Sequence, residues 1–312
     1  MSMKKPALML TVLSLLGLAA CGPPAAQPAA SPQPQTASQQ PAGAEPRVAS
    51  LSIHLTNNLL ALGITPAGSV LGGKAKDFLP HVADRLTDTK KLGVAAEPDM
   101  EALLALKPET IYADEAFAGK DLSSYEKIAK TEVISLDEGT WRDHLKLIGK
   151  SVHREAQAET FIADYEKQAE KVKALLRNKI GGGTAMAIRV SAKELRVMGM
   201  ARPLGPLLFQ DLGLKPAPGV EKIKKAYEVI SQEVLPDYNP DAIFVIVNVE
   251  DDAKKVFEQL QSNPLWQGLK AVKSGQVYLI PEQPWLDYSA LGSKMSLDEA
   301  EKMFSSKSGG RS

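Results

Sequence analysis

The sequence predicts an α/β protein: two Rossmann-like lobes with largely parallel sheets, joined by a single long helix. Three observations carry that expectation. Short apolar segments alternate with helical patterns from about residue 47 to residue 153, the rhythm of a parallel sheet covered by helices. The rhythm then stops for one uninterrupted helical pattern, Arg154 to Lys179. After it the alternation resumes and runs to about residue 306.

A segment of different character precedes this body. Lys4 and Lys5 lead into the fourteen apolar residues ALMLTVLSLLGLAA. That run is shorter than the roughly 20 residues needed to span a bilayer and fits the core of an export signal. It ends in Leu18-Ala19-Ala20-Cys21, at the chain's single cysteine. The ending resembles the lipobox of bacterial lipoproteins, which implies that Cys21 is lipidated and becomes the first mature residue. The plainer alternative is an ordinary secretory signal with an incidental cysteine. Residues 1–20 are therefore expected to be a signal peptide and 21–46 a disordered tether. The tether's Pro, Ala, Gln and Ser bury too little apolar surface to offset ordering entropy. No internal disulfide can form with one cysteine.

In the first lobe, expected at 47–153, Val48 to Ile53 is a strand, and TNNLLALG is a helix capped by Thr56 and ended by Gly63. TPAGSVLG turns into a short strand. EPDMEALLALKPETIYAD gives a helix opening near Pro98 and stopping at Pro108, then a strand from Thr110 to Ala113. TEVISLD is a further strand and TWRDHLKLIGKSV a helix. In the connecting helix, expected at 154–180, Phe161, Tyr165, Val172 and Leu176 recur on one face, and its length would be about 39 Å. Glycines 181–183 end it. The second lobe is expected at 181–306. TAMAIRVSA and ELRVMGM form two strands about a turn at Lys193, and PLGPLLFQDLGL is a helix. Ala242 to Asn248 is a strongly apolar strand, AKKVFEQLQSNPLWQGLKAV a helix broken at Pro264, and Gln276 to Ile280 a strand. LDEAEKMFSS is the closing helix, and 307–312 are a tail.

Lys+Arg and Asp+Glu are both 37, without the basic excess of a nucleic-acid binder. There is no G-x-S-x-G, H-E-x-x-H, cysteine nucleophile or dinucleotide loop, and neither Gly72-Gly73-Lys74 nor the glycines at 181–183 have phosphate-loop spacing. His54, His81, His144 and His153 are scattered, not clustered as metal ligands. No catalytic residue and no metal ligand is assigned. Two lobes on a stiff connector point instead to a ligand cleft near the C-terminal ends of parallel strands. The residues at those ends are Arg189 and Arg202 about the strand pair IRVSAKELRVMGMAR, Trp285 and Tyr288 after the last strand, His54 after the first, and Glu115 and Phe117 after TIYAD. Guanidinium groups and aromatic rings suit an oxygen-rich, partly apolar, anionic ligand. The alternatives are a structural ion pair for each arginine, and core packing for Trp285 and Tyr288.

Along nearly all of the body the chain resembles siderophore-binding lipoproteins of iron ABC importers. The resemblance lies in RVASLS…NNLLALGITPAGSV, LGVAAEPDMEALLALKPETIYAD, RVSAKELRVMGMARPLGPLLFQDLGL, ISQEVLPDYNPDAIFVIV and NPLWQGLKAVKSGQVYLI, in that order. Glu109, where Asp is usual, and Gln232 are departures. The resemblance implies an iron(III)–siderophore complex bound intact, with iron held by the siderophore and no cofactor of the protein's own. Arg189 and Arg202 would bond the chelate's oxygens, with Arg85 or Lys74 contributing from the first lobe. Trp285 and Tyr288 would pack on its hydrocarbon arms, and His54 and Phe117 would complete the lining. Two arginines are fewer than a catecholate complex usually meets, which favours a hydroxamate or citrate-hydroxamate. Glu97 and Glu233 would pair with arginines of the ABC permease. The expected protein is a monomeric, non-enzymatic receptor on the extracytoplasmic face of the cell membrane, held by its lipid alone and without nucleic acid. The alternatives are the same fold binding heme, a cobalamin or a catecholate, and, in another class, a lipid-anchored hydrolase.

Overall fold

The computed structural model describes residues 46–72, 76–119, 122–249 and 251–305. The expected signal peptide, Cys21, nearly all of the tether, Lys74 and the tail lie outside the described residues.

The first lobe is a six-stranded sheet in the order β4-β3-β2-β1-β5-β6. Its strands are β1 (Val48–Ser50), β2 (Gly68–Leu71), β3 (Lys90–Val94), β4 (Glu97–Pro98), β5 (Thr110–Asp114) and β6 (Lys130–Ile134). All neighbours pair in parallel except β3 and β4. The central strand β1 is buried at every residue, which is why it shows a short apolar run and no alternation. The helices are α1 (Ile53–Ala61), α2 (Met100–Leu106), α3 (Glu115–Ala118), α4 (Leu122–Glu126) and α5 (Trp141–Ser151). Helix α1 starts earlier than the sequence suggested. Ser52 is its N-cap position, and Thr56 is a buried helical residue whose hydroxyl lies 2.6 Å from that of Ser69. Asp99 caps α2 by accepting from the Ala102 amide at 2.9 Å, and Thr140 and Asp143 form a reciprocal capping box at α5.

Helix α6 (Glu155–Ile180) connects the lobes. Ala158, Ile162, Tyr165, Ala169, Val172 and Leu176 are its buried residues, a single stripe at three- and four-residue steps. Phe161, expected on that stripe, sits at its margin and is only partly buried. The helix stops at Gly181, whose φ of 69° is open to glycine without strain.

The second lobe has strands β7 (Thr184–Val190), β8 (Leu195–Met198), β9 (Lys215–Pro216), β10 (Tyr227–Ile230), β11 (Ala242–Val247) and β12 (Val277–Leu279). The order is β10-β8-β7-β11-β12, with β9 beside the start of β7. Strands β7, β9, β11 and β12 run parallel, while β8 and β10 add an antiparallel edge. Residues 206–211, expected as an α-helix, form a π-helical turn. The remaining helices are α7 (Leu235–Tyr238), α8 (Asp251–Ser262), α9 (Pro264–Gln267), α10 (Lys270–Lys273), α11 (Glu282–Trp285) and α12 (Ala290–Ser305). The break at Pro264 is present, and α12 starts well before the expected LDEAEKMFSS.

Alternation along β7 and β11 divides the second lobe's core. Met186, Ile188, Ile243 and Val245 face Leu260 and Trp266. Ala185, Ala187, Phe244 and Ile246 face the other way, into a cluster that also holds Tyr165 of α6, Leu297 of α12 and the first-lobe residues Leu55, Leu59, Trp141 and Leu145. Helix α12 packs on α6, α1 and α11, so the end of the chain returns to the first lobe. One apolar cluster thus runs through both lobes, and the two should lose structure together. Leu59→Ala is expected to remove about 2–5 kcal/mol of stability from one cooperative unfolding transition, followed in urea by circular dichroism and by fluorescence. Separate transitions for the two lobes would contradict the shared core.

Candidate functional site

Parallel strands all end on the same side of their sheet, so the segments after them gather there and form the candidate site. In the first lobe, Asp114 at the end of β5 accepts from the Ala116 amide at 3.0 Å and starts α3, which leaves Phe117 half exposed. Beyond β6 the chain reaches Asp137. In the second lobe, β7 ends with Arg189 and Val190, β11 is followed by Asn248 and the exposed Val249, and β12 ends at the exposed Leu279. Val249 and Leu279 were missed from sequence. Val249 falls just past the expected strand and Leu279 inside one, and only the strands' observed end points show that both emerge from the core.

A cavity of about 750 Å³ opens at the ends of β7 and β11, lined among others by Arg189, Lys193, Arg196, Asn248, Asp252 and Lys255. Arg189 Nε donates to Asn248 Oδ1 at 2.8 Å, and its Nη2 donates to the Glu282 carboxylate. Arg196 Nε donates to Glu194 Oε2 at 2.7 Å, and its guanidinium stacks 4.1 Å from the Tyr227 ring centre. Arg202 lies elsewhere and shares no partner with Arg189. Its Nε and Nη2 donate to Asp137 Oδ1 at 3.0 and 2.7 Å, a contact from the second lobe to the first. Both arginines therefore make the ion pairs that stood as the alternative reading. Nearby, Arg142 stacks on Trp141 and Tyr165 and pairs with Asp211 at 3.0 Å. Tyr165 also donates to Asp211, at 2.7 Å. Burial, then the Asp211 charge, push the Tyr165 hydroxyl far above its ordinary pKa.

Two expected ligand contacts are corrected. Trp285 is 1% exposed. Its ring packs by Phe244, and its Nε1 donates to Glu299 at 2.7 Å, so it is a core residue with a satisfied polar tip. Tyr288 is also buried in the shared cluster, with its ring edge-on to His144, and burial raises its pKa. In both cases the chain after β12 turns back over the sheet face and does not stay at the strand end. Arg85 is exposed and joins neither arginine. Val82 and Leu86, on either side of it, pack with Leu71, the last residue of β2.

His54 is turned to a group that the sequence did not reveal. Asp287 is buried, with Oδ1 at 3.0 Å from His54 Nδ1. Its Oδ2 accepts from Asn57 Nδ2 at 2.7 Å and Ser289 Oγ at 3.0 Å, and lies 3.2 Å from His81 Nε2. Burial raises the Asp287 pKa, but the hydrogen bonds from His54 and His81 outweigh it and bring it to about 2. A Cβ at Gly292 would collide with the Asp287 carbonyl and carboxylate, so that close approach requires glycine. Asp287 reads in sequence as one more acid in WLDYS, and its partners His54, Asn57 and His81 lie more than 200 positions away. Among the described residues, no group of three or more His, Cys, Asp or Glu is placed to hold a metal ion.

Glu97 and Glu233 are both exposed, one in each lobe. Glu97 lies in β4, two residues ahead of the α2 cap and so close to that helix's N-terminus. Glu233 lies in the short helical turn Gln232–Val234, and hydrogen bonds from the Ser231 hydroxyl and its own amide hold its carboxyl below the usual range.

Two α/β lobes on one rigid helix, with an arginine-lined cavity at the ends of parallel strands, define a bilobal ligand-binding receptor. The chain belongs to the periplasmic binding protein family, which it matches over residues 48–284. It is 31% identical over 271 residues to the probable siderophore-binding lipoprotein YfiY of Bacillus subtilis, covering 83% of this chain and 82% of that one. It is similar to Staphylococcus aureus SirA complexed with staphyloferrin B, at 26% identity and a TM-score of 0.72, covering 85% of this chain and 94% of that one. It is likewise similar to the triscatecholate siderophore binding protein FeuA of Bacillus subtilis complexed with ferri-bacillibactin, at 27% identity and a TM-score of 0.68, covering 83% and 92%. Among the described residues, no helix is long and apolar enough to cross a membrane.

Removing the Asp287 carboxylate leaves its buried and half-buried hydrogen-bond partners unmatched, so Asp287→Ala should cost about 3–5 kcal/mol. The sign with pH comes from the lowered pKa. The unfolded chain binds the proton more readily, so the contribution is complete above about pH 4 and is lost as pH falls toward 2. Urea titrations between pH 7 and pH 2 should show that fall in the native sequence and a flatter profile in Asp287→Asn.

Proposed function

We propose that this protein is an extracytoplasmic receptor that captures a ferric siderophore as an intact chelate and delivers it to an ABC permease. The observation that carries the proposal is an arginine-bearing cavity at the strand ends of a chain in the periplasmic binding protein family. The siderophore supplies the iron's ligands, and the protein recognises the outside of the complex. Arg189 bonds peripheral oxygens in the second lobe, and Arg202 does so where the lobes meet. Phe117, Val249 and Leu279 offer apolar surface to hydrocarbon arms. The chelate is of hydroxamate or citrate-hydroxamate type, although the two solved relatives above carry other siderophores. No catalytic role is assigned to any residue. Cys21 carries the lipid that keeps the receptor at the membrane, and Glu97 and Glu233 meet basic residues of the two permease halves.

Arg189→Ala should weaken a ferric hydroxamate by about 1.5–3 kcal/mol, the range for a hydrogen bond to a charged group, in isothermal titration calorimetry. Unchanged affinity would remove Arg189 from the ligand. Glu97→Ala/Glu233→Ala should bind the chelate as the native sequence does and yet fail to support its uptake by cells. Because both acids are exposed, the melting temperature should hardly move. Normal uptake by that double variant would dismiss the docking role.

A further inference from the structure

Every arginine assigned to the ligand already has an acid of its own. Arg202 donates twice to Asp137 from across the lobes, and Arg189 is paired with Glu282, which comes after β12. Neither acid has a second charged partner among the described residues. The Asp137 side chain is 76% exposed against 29% for Arg202, so the carboxylate reaches out to a guanidinium that is more covered than itself. The same pattern fills the cavity. Arg196 is paired with Glu194 and Lys255 with Asp252, which leaves Lys193 as the cation without an acidic partner among the described residues lining it. A cavity that looks basic by composition is close to neutral by pairing.

Such pairing changes which ligand the arginines can serve. An arginine has five N–H donors, and a carboxylate that takes two of them leaves others for a neutral acceptor oxygen. An anionic ligand must instead displace the carboxylate or lie beside it, and a like-charge contact across an interface is a strong discriminator. We infer that Asp137 and Glu282 act as a charge filter on the cleft, admitting ferric chelates of little or no net charge and disfavouring polyanionic ones. This inference rests on the ferric-siderophore reading above and adds to it a selection by charge made by two named acids.

The test is calorimetric binding of a neutral ferric trihydroxamate and of a trianionic ferric tris-catecholate to the full chain and to Asp137→Asn, Glu282→Gln and the double variant. The native sequence should favour the neutral complex. The double variant should gain at least about tenfold for the trianion while the neutral complex stays within about threefold, and high salt should shrink the gain because exposed charges are screened. An unchanged ratio between the two chelates in the double variant overturns the filter while leaving the receptor reading in place. A loss of affinity for both chelates also overturns it, since the acids would then serve only to position the arginines. Binding of neither chelate by the native sequence defeats the siderophore reading and the filter together. Melting temperatures measured alongside should show both single variants folded, as expected for partly exposed ion pairs.

Discussion

The structure depends on one buried carboxylate. Asp287 has lost its water, and a charge so placed is tolerated only when hydrogen bonds replace the solvent. Here His54, Asn57 and His81 of the first lobe and Ser289 of its own segment provide them. Three of those partners precede it by more than 200 residues, so the contact ties the end of the chain to its beginning. The tie is reinforced next door, where the Ala290 amide at the start of α12 donates to Asn58 at 2.8 Å. Helix α12 is then held against α1 and α6 together.

That arrangement limits how the receptor can move. The connector α6 has no break along its 26 residues, and its buried stripe belongs to a cluster shared by both lobes. Wide hinge opening would expose that cluster, so ligand-linked motion is expected to be small and confined to side chains and strand-end loops. The Asp137–Arg202 pair fits this regime. It joins the lobes through side chains alone and is exposed enough to form and break without disturbing the core. The proposed site therefore sits at the ends of two packed sheets, with its arginines held by ion pairs of differing exposure.

The fold was legible because its strongest signals are periodic and local. The stripe of α6, the apolar run of β11 and the Pro264 break each arise from a few neighbouring residues. Less of the second sheet was legible: β9 is only two residues long and β10 is a four-residue edge strand, and the expected α-helix at 206–211 is a π-helical turn. Of the residues now proposed for the site, Arg189, Arg202 and Phe117 were marked in the sequence by their places after strands. Trp285 and Tyr288 come after a strand, as ligand-lining aromatics would, but the chain folds back and buries them. Asp287, Asp137 and Glu282 carry no local mark, since an acid's importance here comes from partners 65 to 233 positions distant.

The central claim is that iron enters the protein inside its chelate and lies where the strand ends of the two lobes converge. Anomalous diffraction at the iron edge, from crystals grown with a ferric hydroxamate, tests it most directly. The account predicts one iron position near Arg189 or Arg202, with every iron ligand drawn from the chelate. Iron coordinated by His54, His81 or Asp287, or found away from both arginines, would contradict it.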